Sequence, residues 1–296
     1  MDILPFYEPQ TGTWSYLLVD PGEHAAALVD PVLEFDPVSG LTDTSFVDAI
    51  LNAADERGAR IQWVLETHAH ADHLTAADYV RRKHGARVVI GRGIRAVQRT
   101  FQRVFDFTDL STDGRQFDRL VDEGDVIRLG SQEIAVMETP GHTSDSVTYR
   151  VADAAFVGDT LFAPNYGTAR CDFPGGDAGT LYDSIVRLHA LPDDTRLFLC
   201  HDYPGEGHQP QCRVTVAESR RSNIHISADT HRDDYVAMRN ERDAGLDLPR
   251  LILPSVQVNI RAGAPPPPGP NGTAYLRTPF NRSLAELVAG TGPEAD

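Results

Sequence analysis

Six residues constrain this chain more than any others: His68-Ala69-His70-Ala71-Asp72-His73, directly after the apolar run 61–65. Three imidazoles and one carboxylate at the end of a buried strand must be presented on a loop at a sheet edge. On such a loop alternate residues can point the same way, so His68 and His70 can share one ion. Asp72 and His73 then lie where a helix begins and can face a second position. Imidazole suits zinc, iron, nickel and copper, and a neighbouring carboxylate adds charge. The bland alternative is a cluster of histidines on a solvated turn.

Three later positions weigh against that alternative. His142 sits in Thr139-Pro140-Gly141-His142-Thr143 after the apolar run 134–137. Asp159 sits in Gly158-Asp159-Thr160 after the run 154–157. His201 follows the run 196–200. Each is a metal-ligand residue type at the end of a buried strand. Loops from several strand ends can converge on one edge of a pair of sheets.

The remaining text alternates strand-like and helical periods. Residues 13–19 and 25–29, separated by Asp20-Pro21-Gly22, read as a hairpin. Strands are expected at 61–65, 87–90, 125–129, 133–138, 146–151, 154–157 and 196–200. Helices are expected at 44–57, 74–84, 94–105 and 180–189. This mixture predicts an α/β fold in which helices cover sheets. Beyond residue 215 the texture changes. A charged helix is expected at 233–244, a strand at 251–260, an extended proline-rich linker at 264–270 and a frayed end at 290–296. The division expected is a catalytic domain at 1–215 and an extension at 216–296, packed on that domain or on a neighbouring subunit.

Composition narrows the partners. Lys and Arg number 27 against 43 Asp and Glu, a formal charge of −16. Such a surface disfavours nucleic acid and anionic membrane. No run reaches the roughly 18 apolar residues of a membrane span, and the first twenty residues do not read as a signal peptide. Cys171, Cys200 and Cys212 are too few and too irregular for a disulfide framework, so a reducing, cytoplasmic setting is expected. Cys171 reads as a small buried hydrophobe rather than a sulfur carrier. A small homo-oligomer, dimer or tetramer, is the usual outcome for such a chain.

The segments Thr-His-Ala-His-Ala-Asp-His, Thr-Pro-Gly-His-Thr and Gly-Asp-Thr-Leu-Phe, with the strand-end His201, resemble the metallo-β-lactamase superfamily. The resemblance covers roughly residues 1–210. It implies an αββα metallo-β-lactamase sandwich with metal at one edge of two packed sheets, here followed by a short C-terminal extension. It does not imply one reaction, because the fold hosts several.

Two branches share this motif set. In the branch resembling glyoxalase II, all seven ligands hold two metals, zinc or mixed, for thioester hydrolysis. In the persulfide dioxygenase branch, His68, His142 and Asp159 alone would hold one Fe(II), with His70, Asp72, His73 and His201 beside them. Gly167-Thr168-Ala169-Arg170-Cys171-Asp172-Phe173 and His201-Asp202-Tyr203 resemble the second branch. The match is closer to its bacterial β-lactamase-like hydrolase subgroup, linked to sulfide detoxification, through the text at 30–37, 168–177 and 253–259. The resemblance implies oxidation of glutathione persulfide, or a related small thiol persulfide, by O2. Arg170 is then expected to pair with a carboxylate of the substrate, an internal salt bridge being the alternative. Tyr203 is expected to hydrogen-bond the substrate or bound water, or else to be a packed wall residue.

Overall fold

A computed structural model describes residues 1–290 except Glu206. The frayed end expected at 290–296 therefore falls, apart from Gly290, outside the described residues.

The organising element is β2 (Thr13–Asp20), in which every residue is buried. A strand buried on both faces needs a layer on each side. Its side chains alternate accordingly: Leu17 and Val19 join one apolar cluster, Trp14, Tyr16 and Leu18 another. The strand lies in a six-stranded sheet with β1 (Asp2–Glu8), β3 (Ala25–Val29), β6 (Arg60–Leu65), β8 (Arg87–Gly91) and β9 (Arg119–Val121), in the order β1-β2-β3-β6-β8-β9. The expected hairpin is the antiparallel pair β2 and β3. A second six-stranded sheet runs β10 (Val126–Leu129), β11 (Gln132–Glu138), β12 (Val147–Val151), β13 (Ala154–Phe156), β14 (Arg196–Phe198), β15 (Arg213–Thr215).

The two sheets share one core. Tyr16, Leu18, Trp63 and Val89 from the first meet Ile127, Ile134, Tyr149, Phe156 and Phe198 from the second. Outside the first sheet pack α1 (Ser45–Asp55), α2 (Ala77–His84) and α3 (Ile94–Val104), through Ile50, Val80 and Phe101. Outside the second pack α4 (Ala178–His189), α5 (Val216–Ser222) and α6 (Arg232–Asp243), through Leu181, Val216 and Tyr235. The result is the αββα sandwich.

Two elements differ from the sequence reading. The strand expected at 251–260 is a helix, α7 (Ile252–Asn259). Ile252, Val256 and Ile260 recur every four residues and enter the core outside the first sheet, and with Ser255, Gln257, Val258 and Asn259 also buried, tertiary packing overrides the β-branched composition. Pro254 is tolerated because a helix's first turn needs no internal N–H donors. The helix expected from 74 begins only at Ala77. Leu74 and Thr75 instead form β7 (Leu74–Thr75), paired with Val32 and Leu33 of β4 (Val32–Asp36), which also pairs with β5 (Leu41–Asp43). Asp72 and His73 thus precede a short strand, not a helix.

The last helix, α8 (Leu284–Ala289), also joins the core outside the first sheet, so residues beyond 215 pack on both helical layers. Among the described residues no helix is long and apolar enough to cross a membrane.

Candidate metal centre

The ligand-type residues converge where strands of both sheets end. The six-residue histidine run follows β6, His142 follows β11, Asp159 follows β13 and His201 follows β14. The sheets are tied together at this edge by Trp14 N–H donating to Cys200 O at 2.7 Å and by a bridge between Thr13 and His201.

Among the ligand groups that form, two hold only histidines and aspartates and share no residue. One ligand atom from each of His68, His142 and Asp159 lie within 4.8 Å of one another, as do those of His70, Asp72, His73 and His201. Asp159 faces both. Its Oδ2 is 3.9 Å from His68 Nε2 and 3.7 Å from His142 Nε2, and its Oδ1 is 3.3 Å from His201 Nε2. The structure separates His68 from His70, which the sequence reading allowed to share an ion. His70 Nε2 lies 3.0 Å from Asp30 Oδ1 and 3.8 Å from Glu66 Oε2. Its ring stays 4.0 Å, centroid to centroid, from that of His68, but its ligand atom groups with Asp72, His73 and His201.

The donor set fits a cation. Nε2 of His68, His73 and His201 and Oδ1 of Asp159 are buried without a hydrogen-bond partner. Orphaned polar atoms of this kind are rare in a folded interior and cost roughly 1–3 kcal/mol each. Such atoms, drawn from both ligand groups, mark an ion-binding region. Burial, then the neighbouring imidazoles, push His68 and His70 well below the ordinary histidine range. Both are thus in the neutral form that binds metal. His142 Nδ1 donates to Arg170 O at 2.7 Å, which fixes the tautomer and leaves Nε2 free for an ion.

Residues that the sequence reading did not assign hold this loop in place. Asp30 accepts from Thr67 N–H at 2.8 Å and Thr67 Oγ1 at 2.9 Å. Asp145 accepts from Ala69 N–H at 2.8 Å. Asn259, the last residue of α7, accepts from Thr75 N–H at 2.9 Å and donates to His70 O and His73 O at 2.8 Å each. The extension thus clamps the histidine run. The available signal was that Asp30 and Asn259 fall in the segments 30–37 and 253–259 that carried the resemblance.

Gly141 sets the approach of His142. Its φ is +134°, and a Cβ there would stand 2.3 Å from Leu181 N and Cα in α4. Gly141→Ala is expected to move His142 and weaken metal binding roughly 10–100-fold, read by competition with a chromogenic chelator. Unchanged affinity would remove Gly141 from this role.

A cleft of about 470 Å³ opens over the centre, lined among others by Asp72, His142, Asp159, Arg170, His201 and Tyr203. Tyr203 is half exposed, and its ring stacks on His201 with centroids 5.9 Å apart. Arg170 also lines the cleft, but its planar fork is already filled. Nε and Nη2 each donate to Asp172 at 2.6 Å, and Nη1 donates to Asp247 O at 2.7 Å. The expectation that Arg170 meets a substrate carboxylate therefore encounters an internal salt bridge. Cys171 is buried, and burial followed by Asp243 pushes its thiol up to about 12, so it stays protonated.

A two-sheet sandwich covered by helices, with paired ligand groups at one edge, defines the metallo-β-lactamase class. The chain belongs to the metallo-beta-lactamase superfamily, whose sequence profile matches residues 9–201. It is 49% identical over 292 residues, 95% of this chain and 99% of the relative, to a probable metallo-hydrolase of Burkholderia pseudomallei (strain 1710b). It is 31% identical over 266 residues, 88% of this chain and 89% of the relative, to the mitochondrial persulfide dioxygenase ETHE1 of Mus musculus. The crystal structure of ETHE1 from Myxococcus xanthus superposes with a TM-score of 0.72 and 30% identity, over 89% of this chain and 100% of that one. The chain is an enzyme of this superfamily, and its cluster of histidines and aspartates is a candidate metal-binding site.

Proposed function

We propose that the chain is a persulfide dioxygenase, converting glutathione persulfide or a related small thiol persulfide, with O2, to sulfite and the free thiol. The observation that carries the reading is the make-up of the first ligand group. With His70 grouped with Asp72, His73 and His201, the first group consists of two imidazoles and one carboxylate. Such a set on one face leaves three positions open and suits one Fe(II) with two incoming reactants. The likeness to a persulfide dioxygenase over most of the chain supports the same reading.

The reaction balances as follows. One persulfide, one O2 and one water give one thiol, one sulfite and two protons. The terminal sulfur loses four electrons and O2 gains them. When bound, Fe(II) supplies the activation of O2 beside that sulfur. His68, His142 and Asp159 would hold the ion. Asp72, whose Oδ2 lies 3.3 Å from His201 Nε2 and 3.4 Å from His73 Nδ1, would orient the water. Tyr203, on the open side of His201, would hydrogen-bond the substrate. Arg170 would order the cleft wall through Asp172 and hold His142 through its carbonyl.

A second reading rests on the second ligand group. His70, Asp72, His73 and His201 are close enough to hold another ion, and two zinc ions or a mixed pair would suit a glyoxalase II-like thioester hydrolase. One protein stock, loaded anaerobically with Fe(II) or with Zn(II), separates the two. The iron form is expected to turn over glutathione persulfide and the zinc form is not. Faster hydrolysis of S-lactoylglutathione by the zinc form, with no persulfide turnover by the iron form, would transfer the assignment to the hydrolase.

A further inference from the structure

The cleft has a wall that comes entirely from beyond residue 215. α6 and the segment leading to α7 bring Arg239, Arg242 and Arg250 to it. Arg239 is buried and committed, pairing with Asp243 at 2.6 Å and donating to Thr168 O at 3.1 Å. Arg242 and Arg250 are different. Both are exposed, and neither side chain makes a hydrogen bond or ion pair among the described residues. Their charges are felt only at a distance, by His225 and by Asp36 respectively. In a chain with 43 acidic and 27 basic residues, two uncommitted arginines on one cleft stand out. The fourth cleft arginine, Arg170, is neutralised by Asp172.

We propose that Arg242 and Arg250 are the docking pair for the carboxylates of the thiol that carries the reacting sulfur. This rests on the persulfide reading and specifies its substrate: a persulfide of a small thiol bearing carboxylates. The guanidinium fork matches a carboxylate in two parallel hydrogen bonds. A cleft with free cations on its wall also concentrates an anionic ligand. The floor and the wall thus sort the two ends of one molecule. Sulfur goes to the ligand groups at the floor, and carboxylates go to arginines that no internal acid occupies.

The test compares the metal-loaded wild type with Arg242→Gln, Arg250→Gln and the double variant. Both positions are exposed, so folding is preserved. With glutathione persulfide, each single variant is expected to raise KM about tenfold at unchanged kcat. Arg→Lys at either position recovers part of the loss. The persulfide of cysteamine, which has no carboxylate, is expected to show the same KM in all forms. An unchanged KM for glutathione persulfide in the double variant would overturn the proposal. So would an equal rise for both persulfides, which would mean a damaged cleft. Calorimetric titration with glutathione itself keeps the test separate from the reaction. If no persulfide is consumed by any form, the persulfide reading fails, while tighter glutathione binding by the wild type than by the double variant still supports the pair. Tighter binding of coenzyme A than of glutathione would assign the arginines to phosphate and overturn the carboxylate assignment.

Discussion

Asp159→Ala is expected to lose bound metal and turnover together, and to leave the metal-free fold as stable as before or slightly more stable. The sign follows from the geometry. Asp159 faces His68, His142 and His201, and its Oδ1, 3.3 Å from His201 Nε2, is buried with no hydrogen-bond partner. Without a cation that oxygen is a liability, so deleting it costs the metal-free protein little. With a cation it supplies the negative charge of the first ligand group. Loss of an outer partner typically costs 10–100-fold in metal affinity or activity, and loss of a ligand exceeds that. His68→Ala should behave alike, since His68 Nε2 is likewise buried and unpartnered. The readout is the rise in Tm on adding metal. A ligand at 1,000 times its Kd stabilises by about 4.1 kcal/mol, and the variants should show none of that gain. A variant that kept the metal-induced rise in Tm would place the ion elsewhere.

Asn259→Ala is expected to damage the same centre from outside it. The amide closes three backbone groups of the histidine loop: Thr75 N–H, His70 O and His73 O. All lie in buried surroundings, and each unpaired group costs roughly 1–3 kcal/mol. The variant should therefore unfold at a lower temperature and bind metal roughly 10–100-fold more weakly. Asn259→Asp preserves the acceptor for Thr75 but sets a carboxylate oxygen against two carbonyls, so it should be no better than alanine. Thermal unfolding and a chelator titration on the same samples decide the matter. Wild-type values in both would show that the histidine run holds its shape without α7.

These two residues mark the line between what the sequence displays and what it hides. Asp159 was legible because it ends a buried apolar run and sits beside Gly158, as His142 does beside Gly141. The sandwich was legible for a related reason: each layer's strands carry apolar residues at a spacing that a helix would scatter. Asn259 was invisible as a clamp because its partners lie more than 180 positions away. Residues 251–260 read as a strand because the residues of the helical recurrence, Ile252, Val256 and Ile260, are themselves β-branched. The Arg170–Asp172 pair spans only two positions, so the competing salt bridge could be foreseen, but not that it fills the fork. The nearness of His70 to Asp30, a residue 40 positions upstream, was hidden because it is created by the pairing of β3 with β6.

The most direct measurement is oxygen uptake by the anaerobically Fe(II)-loaded protein on adding glutathione persulfide, with sulfite assayed in the same vessel. The account predicts one sulfite formed for each O2 consumed. No uptake from a preparation confirmed to hold iron would contradict it.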